Sequence, residues 1–301
     1  MTDAAIETVD LAKRYGGLTA LAGLSMSIPR GDVFGFLGPN GAGKTTAVKL
    51  LLGLARPTSG EARLLGASLS DPRAHREVRR RVGYLPELFR YQGWLTGREV
   101  LGLHVELLGV PRERWGNEID RVLLFAGLTE RGGSRVSTYS KGMQQRLGLA
   151  AALLGRPELV MLDEPTSALD PVGRHDVREI IRALKEEGMT VFLNSHLLSE
   201  VEQVCDRVAI VDHGRIVASG TFAELLAGDT VRLLVTSLGD ADLSRFGRSD
   251  REGDWLTMRG IAAAHIPDLV AEVVRLGGRV HAVQPTHESL EDRFLDLLAE
   301  R

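Results

Sequence analysis

The apolar positions of this chain form two patterns, first short runs separated by turns and then runs at helical spacing. Near the amino terminus, turn signals separate three segments that predict strands: IETVDL, ALAGLSMSI and DVFGFL. Later segments show the spacing of amphipathic helices: AVKLLLGL, REVLGLHVELLG, EIDRVLLFAGL and GMQQRLGLAAALL. Short apolar runs lie between them: RVGYLP, LVMLD and TVFLNS. This alternation predicts an α/β core with a mainly parallel sheet, flanked by an antiparallel β subdomain from the early strands.

The pattern changes after about residue 226, where AGDT is typical of a turn at a domain boundary. The segments that follow are VRLLVTSL, DWLTMRG, a helical IPDLVAEVVRLGG, RVHAVQ and ESLEDRFLDLLAE. Their order predicts a small α+β domain. We therefore expect a main domain over residues 4–226 and a carboxy-terminal domain over residues 230–301.

Composition narrows the possible classes of protein. The 301 residues are 44% hydrophobic and 26% charged, which is typical of a soluble globular protein. The net charge of −3 provides no basic field for nucleic acid. The single cysteine, Cys205, excludes an intrachain disulfide and is interpreted as a buried structural thiol. No apolar run approaches the roughly 18 residues of a membrane span, and the acidic start is unlike a signal peptide.

A glycine-rich loop follows the strand DVFGFL and precedes a helix, in the pattern G-x-x-x-x-G-K-[ST]. Such glycines allow consecutive backbone N–H groups to surround a phosphate at the positive end of the helix. Lys44 supplies a cation for the β- and γ-phosphates, and the Thr45 hydroxyl is a ligand for Mg²⁺. The predicted ATP-binding residues of this loop are Gly38, Pro39, Asn40, Gly41, Ala42, Gly43, Lys44, Thr45 and Thr46. Alone, the loop is shared by kinases, GTPases, helicases and ABC proteins.

Two acids end the apolar run LVMLD, at Asp163 and Glu164. Beside a phosphate loop, Asp163 is expected to hold the metal and Glu164 to polarise the attacking water. The alternative is an acidic turn that caps the next helix. The strand TVFLNS is followed by His196, which is either structural or a donor to the γ-phosphate.

A capped helix start in TYSKGMQQRLGLA is a second predicted anion site. Ser140 and Gly142 lie at this start. Ser140 precedes Asp163 by 23 residues. A plain helix cap is the alternative.

With these motifs in this order, roughly the first 225 residues resemble the ATP-binding subunits of ABC transporters. The resemblance implies a P-loop NTPase core of the ABC type with an antiparallel β subdomain and a helical signature subdomain. It assigns residues 38–46 to the Walker A loop, Asp163 to Walker B, Glu164 to the catalytic glutamate and His196 to the switch histidine. It further assigns residues 167–170 to the D-loop and Tyr15 to adenine stacking, although Tyr15 alone is more typical of a packing residue.

Two positions depart from the family pattern. Lys141 replaces the first glycine of the usual LSGGQ signature, while Ser140 and Gly142 are retained. Glu87 stands where the family has a glutamine; its carboxylate can still ligate Mg²⁺ but cannot donate an amide hydrogen bond. The combination of GYLPE, TYSKGMQQRLGLA and a carboxy-terminal extension is similar to a branch of bacterial drug, antibiotic and polysaccharide exporters.

The resemblance implies ATP and Mg²⁺ as ligands, ATP hydrolysis, and a head-to-tail homodimer or a pair with a related subunit. It also implies a separate transmembrane permease, a peripheral location at the cytoplasmic face of the membrane, and no nucleic-acid partner. The segment LFRYQGWLTGREV falls where the family docks its membrane subunit, and a buried aromatic cluster is the alternative. Two alternative functions share these motifs: a soluble ABC ATPase not coupled to transport, and a non-hydrolysing regulatory subunit.

The carboxy-terminal domain carries no evident site. Its histidines, His265, His281 and His287, are scattered and are expected to be solvated or structural. We expect this domain to stabilise a dimer or to regulate the ATPase.

Overall fold

A computed structural model describes residues 4–167, 169–225, 229–239 and 241–287. The chain divides into two compact units, residues 1–219 and 220–301, which are described separately. This division falls a few residues before residue 226, where the sequence pattern changes. None of the helices in the described ranges has the length and apolar character needed to traverse a bilayer.

The first unit alternates strands and helices along the chain. Its strands are β1 (Ala4–Tyr15), β2 (Leu18–Pro29), β3 (Val33–Leu37), β4 (Ser59–Leu64), β5 (Ala67–Ser68), β6 (Val82–Leu85), β7 (Leu159–Asp163), β8 (Thr190–Ser195), β9 (Arg207–Asp212) and β10 (Arg215–Thr221). Its helices are α1 (Lys44–Leu51), α2 (Pro72–Arg79), α3 (Gly97–Leu107), α4 (Trp115–Phe125), α5 (Lys141–Ala152), α6 (Pro171–Glu186) and α7 (Leu198–Val204).

A six-stranded sheet with the order β10-β9-β3-β8-β7-β6 forms the centre of this unit. The pairs β6–β7, β7–β8, β3–β8 and β3–β9 are parallel. Strands β3, β7 and β8 are buried along their whole length. The sheet packs against α6 and α7 and also shares a core with α1 and with strands β1, β2 and β4. The segment DVFGFL therefore contributes a central strand, β3, to this sheet.

The parallel register brings the carboxyl ends of five strands to one edge. Leu37 pairs with Ser195, and Asp163 pairs with Asn194. In open α/β sheets, ligands bind outside the carboxyl ends of the strands. The segments that carry the predicted phosphate loop, acids and histidine all leave the sheet at this edge.

A second, antiparallel sheet with the order β2-β1-β4-β5 is formed by the other early strands. It shares a hydrophobic core with the parallel sheet, in which Phe36 and Phe192 approach each other with ring centroids 5.3 Å apart. The predicted α/β class with an antiparallel β subdomain is confirmed.

Helices α3, α4 and α5 pack on one another and form the helical part of the unit. Helix α3 begins with a capping box, in which the Thr96 hydroxyl accepts from the Glu99 N–H and Glu99 Oε2 accepts from the Thr96 N–H at 2.7 Å. Helix α5 begins at Ser140, whose Oγ accepts from the Met143 N–H at 3.2 Å. These caps explain why both helices begin where they do.

The second unit combines one antiparallel sheet with one longer helix. Its elements are α8 (Phe222–Leu225), β11 (Asp229–Thr236), β12 (Arg248–Glu252), β13 (Trp255–Arg259), α9 (Ile266–Arg275) and β14 (Arg279–His287), with the strand order β12-β13-β11-β14. Leu269 and Val273 of α9 are fully buried in a core with the apolar residues of the sheet. The segment ESLEDRFLDLLAE lies outside the described residues.

Candidate active site

The loop between β3 and α1 needs glycine for steric reasons. Gly43 has φ 100°, and a Cβ there would lie 2.3 Å from the Ala20 carbonyl oxygen. A Cβ at Gly38 would lie 2.2 Å from the Val211 carbonyl oxygen. The loop backbone is therefore packed against neighbouring backbone on one side. No side chain caps helix α1 at Gly43, so the start of the helix is suited to bind an anion.

The Lys44 side chain folds back over this loop. Its ammonium donates to the carbonyl oxygens of Gly38 at 2.7 Å and Pro39 at 3.2 Å. Only 7% of the residue is exposed. Desolvation lowers the pKa of Lys44, and nearby carboxylates partly offset this effect. A cation held this close to the phosphate loop can move to phosphate oxygens with little rearrangement.

Asp163 lies at the end of β7 and is almost completely buried. Its Oδ1 accepts a hydrogen bond from Nδ2 of Asn194 on the neighbouring strand. Desolvation raises the pKa of Asp163, the hydrogen bond from Asn194 opposes this, and the negative charge of Glu87 adds to the increase. A buried carboxylate between two further acids favours the binding of a cation.

Glu164 has an unusual backbone conformation, with φ 52°. Its N–H donates to the Asn194 carbonyl oxygen at 2.9 Å, and the residue is 6% exposed. His196 Nδ1 lies 2.8 Å from Glu164 Oε2. Because an ionised carboxylate only accepts, Nδ1 carries the hydrogen of this bond. A left-handed backbone at a non-glycine residue is strained, and such strain clusters at functional sites.

These groups surround an open cleft of about 390 Å³. It is lined by Tyr15, Leu18, Thr19, Ala20, Asn40, Gly41, Gly43, Lys44, Thr45, Thr46, Glu87, Glu164, Asn194 and His196. The structure thus brings together most of the site residues predicted from the sequence. Gly38, Pro39 and Ala42 belong to the loop without lining the cleft, and Asp163 is connected to it through Asn194.

The oxygen ligands predicted for a metal fit Mg²⁺. The Thr45 hydroxyl and the Glu87 carboxylate face the cleft, and Asp163 lies close enough to Glu87 for their charges to interact. In the described ranges, no group of three or more histidine, cysteine, aspartate or glutamate side chains could hold a metal alone. Mg²⁺ is usually bound through one or two carboxylates together with substrate phosphates and water, which is the kind of ligand set that these oxygen donors could supply.

Ser140 and Gly142 are not brought into this cleft. They lie at the start of α5, where Ser140 and Lys141 are exposed, and none of the residues that line the cleft belongs to α5. The second predicted anion site is therefore exposed at the surface and does not belong to the cleft of the same chain.

The edge of the cleft near the end of β1 has an aromatic side chain. Tyr15 is 48% exposed, and the Lys13 ammonium lies 4.7 Å from the centroid of its ring. An exposed ring beside a phosphate loop is suited to stacking on a flat base, whereas a packing residue would be buried. Leu18 and Thr19 line the same edge and were not singled out from the sequence.

The D-loop segment follows Glu164 closely. The Ser167 hydroxyl donates to the Glu164 carbonyl oxygen at 3.2 Å, and Asp170 Oδ1 accepts from the Gly173 N–H at 2.8 Å at the start of α6. Ala168 lies outside the described residues.

Tyr84 on β6 is a neighbour of the site that sequence reasoning missed. Its pKa is raised to about 12, mainly by burial and further by the charges of Asp163 and Glu87. Its sequence signal is the GYLPE segment, in which Tyr84 lies three residues before Glu87. Cys205 is buried, as predicted, and burial raises the pKa of its thiol.

The aromatic segment after Glu87 contains both packed rings and exposed hydrophobic side chains. Phe89 and Tyr91 approach each other with ring centroids 5.3 Å apart, and Tyr91 is edge-on to His104 at 5.9 Å. By contrast, Leu88 is 87% exposed and Trp94 is 72% exposed. The segment thus contains a cluster of packed rings, Phe89, Tyr91 and His104, and two large hydrophobic side chains that are exposed, Leu88 and Trp94.

A parallel sheet with a glycine-rich phosphate loop and paired acids at its carboxyl edge defines a P-loop NTPase. A family model described as "ABC transporter" matches residues 21–167. An ABC transporter ATP-binding protein of Nostoc sp. is 40% identical, covering 98% of this chain and 90% of the relative. The bacitracin transport ATP-binding protein of Bacillus licheniformis is 42% identical, covering 73% of this chain and 71% of that protein.

Solved structures agree with this match. The ATP-binding subunit of an ABC transporter is similar with a TM-score of 0.66 and 30% identity, covering 74% of this chain and 92% of that one. A dimeric ATP-binding cassette bound to ADP and phosphate has a TM-score of 0.65 at 23% identity, covering 72% of this chain and 98% of that one. The chain belongs to the ATP-binding subunits of ABC transporters. It is an ATPase that binds ATP, as the sequence predicted.

Proposed function

We propose that this chain hydrolyses Mg-ATP in a head-to-tail homodimer and drives export through a separate membrane subunit. One observation carries the proposal. The cleft contains a phosphate loop, acids and a histidine, whereas the start of α5 with Ser140 and Gly142 faces outward. Each copy therefore has a nucleotide cleft that is open on one side. Each copy also has, outside that cleft, a helix start that is suited to bind the phosphates of a nucleotide held by another copy.

In this proposal the nucleotide lies along the cleft. Tyr15 stacks on the adenine, and the backbone N–H groups of residues 38–46 surround the phosphates. Lys44 leaves the Gly38 carbonyl and binds the β- and γ-phosphates. Thr45, Asp163 and Glu87 would hold Mg²⁺, which on binding would neutralise phosphate charge.

Hydrolysis is assigned to the Glu164 and His196 pair. We assign Glu164 Oε1 as the atom that takes the proton of the attacking water, because Oε2 already accepts from His196. His196 holds the carboxylate in place through Nδ1. Its second ring nitrogen, Nε2, is proposed to donate to the γ-phosphate in the imidazolium form, in which both ring nitrogens carry a hydrogen. Glu164 is nearly buried, which together with its contact to His196 restricts the orientations open to the carboxylate.

The dimer is supported by the outward-facing signature and by the dimeric cassette among the similar structures. In a two-fold symmetric dimer, the start of α5 of each copy would complete the nucleotide cleft of the other copy, so both sites form together. ATP binding would then join the two copies, and hydrolysis would release them.

A membrane partner is supported by the exposed Leu88 and Trp94, because large exposed hydrophobic side chains in one segment are typical of interaction surfaces. The relative from Bacillus licheniformis is named for bacitracin transport. We propose that the present chain serves an exporter of the same branch and works at the cytoplasmic face of the membrane, without a nucleic-acid partner.

The second unit is proposed to stabilise the dimer or regulate it. It has its own core, built around Leu233, Met258, Leu269 and Val273. Deletion of everything after Leu226 should therefore leave the nucleotide cleft intact while it weakens dimerisation or changes the ATPase rate. Unchanged dimerisation and ATPase would contradict this role.

The test of the main proposal measures mass in solution with hydrolysis blocked. The Glu164→Gln variant should be monomeric without nucleotide and dimeric with saturating Mg-ATP, as measured by light scattering after gel filtration. A double variant with Glu164→Gln and Ser140→Arg is the matched control, because a large cation at the start of α5 should prevent closure. A variant that stays monomeric with saturating Mg-ATP would contradict the dimer, provided that ATP binding is demonstrated separately.

A further inference from the structure

Asn194 is a buried polar residue near the carboxyl end of β8. It follows Phe192 and Leu193 in β8, and only 1% of its surface is exposed. Its Cα partner on β7 is Asp163, and its own backbone carbonyl accepts from the Glu164 N–H. A single residue thus contacts both acids at the end of β7.

The side-chain amide of Asn194 is only half satisfied. Its nitrogen, Nδ2, donates to Asp163 Oδ1. This orientation follows from the chemistry, because an ionised carboxylate accepts hydrogen bonds and cannot donate them. The amide oxygen, Oδ1, is buried and has no hydrogen-bond partner in the described part of the chain.

Strand pairing does not require this arrangement. Strands β7 and β8 are already joined in parallel register from Leu159 to Asp163, and the Glu164 N–H continues the contact at 2.9 Å. An apolar side chain at position 194 would avoid the cost of a buried, unpaired acceptor. A purely structural role of Asn194 therefore explains its backbone contacts. It does not explain why the buried Oδ1 has no hydrogen-bond donor.

A ligand that enters the cleft can supply the missing donor. Asn194 is one of the residues that line the cleft, together with Thr45 and Glu87. Water carried by a divalent cation presents its hydrogens to its surroundings and is a natural partner for an unpaired acceptor. Residues that hold a metal ligand in place strongly affect metal affinity.

We propose that Asn194 is a positioning residue for the magnesium of the bound nucleotide. It orients the Asp163 carboxylate through Nδ2 and accepts from a water of the metal through Oδ1. This inference rests on the proposed binding of Mg-nucleotide in this cleft. It predicts a specific loss of magnesium dependence when the amide is removed.

The experiment compares nucleotide affinity with and without magnesium in the full-length chain. The dissociation constant of a non-hydrolysable ATP analogue is measured by titration calorimetry, once with excess Mg²⁺ and once with EDTA. Asn194→Leu has a similar volume and removes both hydrogen-bonding atoms. Asn194→Ala is the second variant and carries the test if the leucine does not fold. Ser195→Ala is the matched control, because the adjacent Ser195 hydroxyl accepts from the Leu197 N–H at 3.0 Å and does not line the cleft.

The ratio of the two dissociation constants separates the possible outcomes. We expect the enhancement by magnesium to fall by about tenfold or more in the Asn194 variants, while the affinity in EDTA changes by less than about threefold. Ser195→Ala should keep the wild-type ratio. Wild-type enhancement in the Asn194 variants, or an equal loss of affinity in both buffers, would overturn the role of Asn194 and leave the magnesium site intact. A wild-type chain without any enhancement would instead contradict the magnesium site itself.

Discussion

Helices α1 and α5 begin in similar ways but in different surroundings. Each has a lysine at its first position, Lys44 in α1 and Lys141 in α5. Helix α1 follows Gly43, has no side-chain cap and begins inside the cleft. Helix α5 is capped by Ser140 and begins on the surface.

The difference between the two starts indicates how they are used. A helix start without a side-chain cap has backbone N–H groups that a phosphate can satisfy, so α1 suits a permanent ligand site. The capped start of α5 is stable alone and still presents a positive helix end outward. We infer that α1 binds the nucleotide first and that α5 contributes only when a second copy approaches.

The largest expected effect follows from the removal of the proposed base. In Glu164→Gln, ATP hydrolysis should fall roughly 100-fold or more, because proton transfer to a positioned base is worth about that much. ATP binding at the start of α1 should persist. Phosphate release and equilibrium binding of labelled ATP check the two parts separately. Near-normal turnover would remove Glu164 from the mechanism.

The two lysines provide the next test. In Lys44→Ala, ATP affinity should fall about 10- to 100-fold, since hydrogen bonds to charged groups contribute roughly 1.5–3 kcal/mol. In Lys141→Ala, the affinity of the dilute, monomeric chain should change by less than about twofold, because Lys141 is exposed and outside the cleft. Titration calorimetry at low protein concentration measures both. Equal losses of ATP affinity in the two variants would contradict the different roles proposed for the two helix starts.

The two glycines at these helix starts provide the smallest test, which concerns stability. Gly43→Ala places a Cβ 2.3 Å from the Ala20 carbonyl oxygen at φ 100°, so the free energy of unfolding should fall by about 1–3 kcal/mol. At Gly142 a Cβ would meet its nearest atom at 4.0 Å, within a helix. Gly142→Ala should therefore change stability by about 0–1 kcal/mol in the stabilising direction. Urea unfolding compares both with the wild type, and a stable Gly43→Ala variant would contradict the steric argument.

Much of the fold was predictable because its patterns are local. The apolar runs that form β3, β7 and β8 are followed by polar or turn residues. The segments that form helices show apolar residues at helical spacing. Strand β12 was not predicted, since its sequence, RSDRE, consists of polar residues that are all exposed. It is recognisable only by its pairing with β13, which no local pattern indicates.

The residues of the site were also only partly predictable from the sequence. The phosphate loop and the two acids were found because their chemistry requires fixed spacing along the chain. Asn194 and Tyr84 were missed because their relevance depends on strands that are distant in sequence. Asn194 contacts Asp163 across the β7–β8 pair, and Tyr84 lies near the same carboxylate.

The sequence by itself determined the class of fold, the family and the order of the phosphate-binding and acidic segments. Each of these depends on residues that are close together in the chain, where spacing is sufficient. The tertiary structure alone decided which side chains share the cleft, that Asn194 donates to Asp163, and that the start of α5 lies exposed outside the cleft of the same chain. These depend on strand order and register, which arise from packing between distant segments.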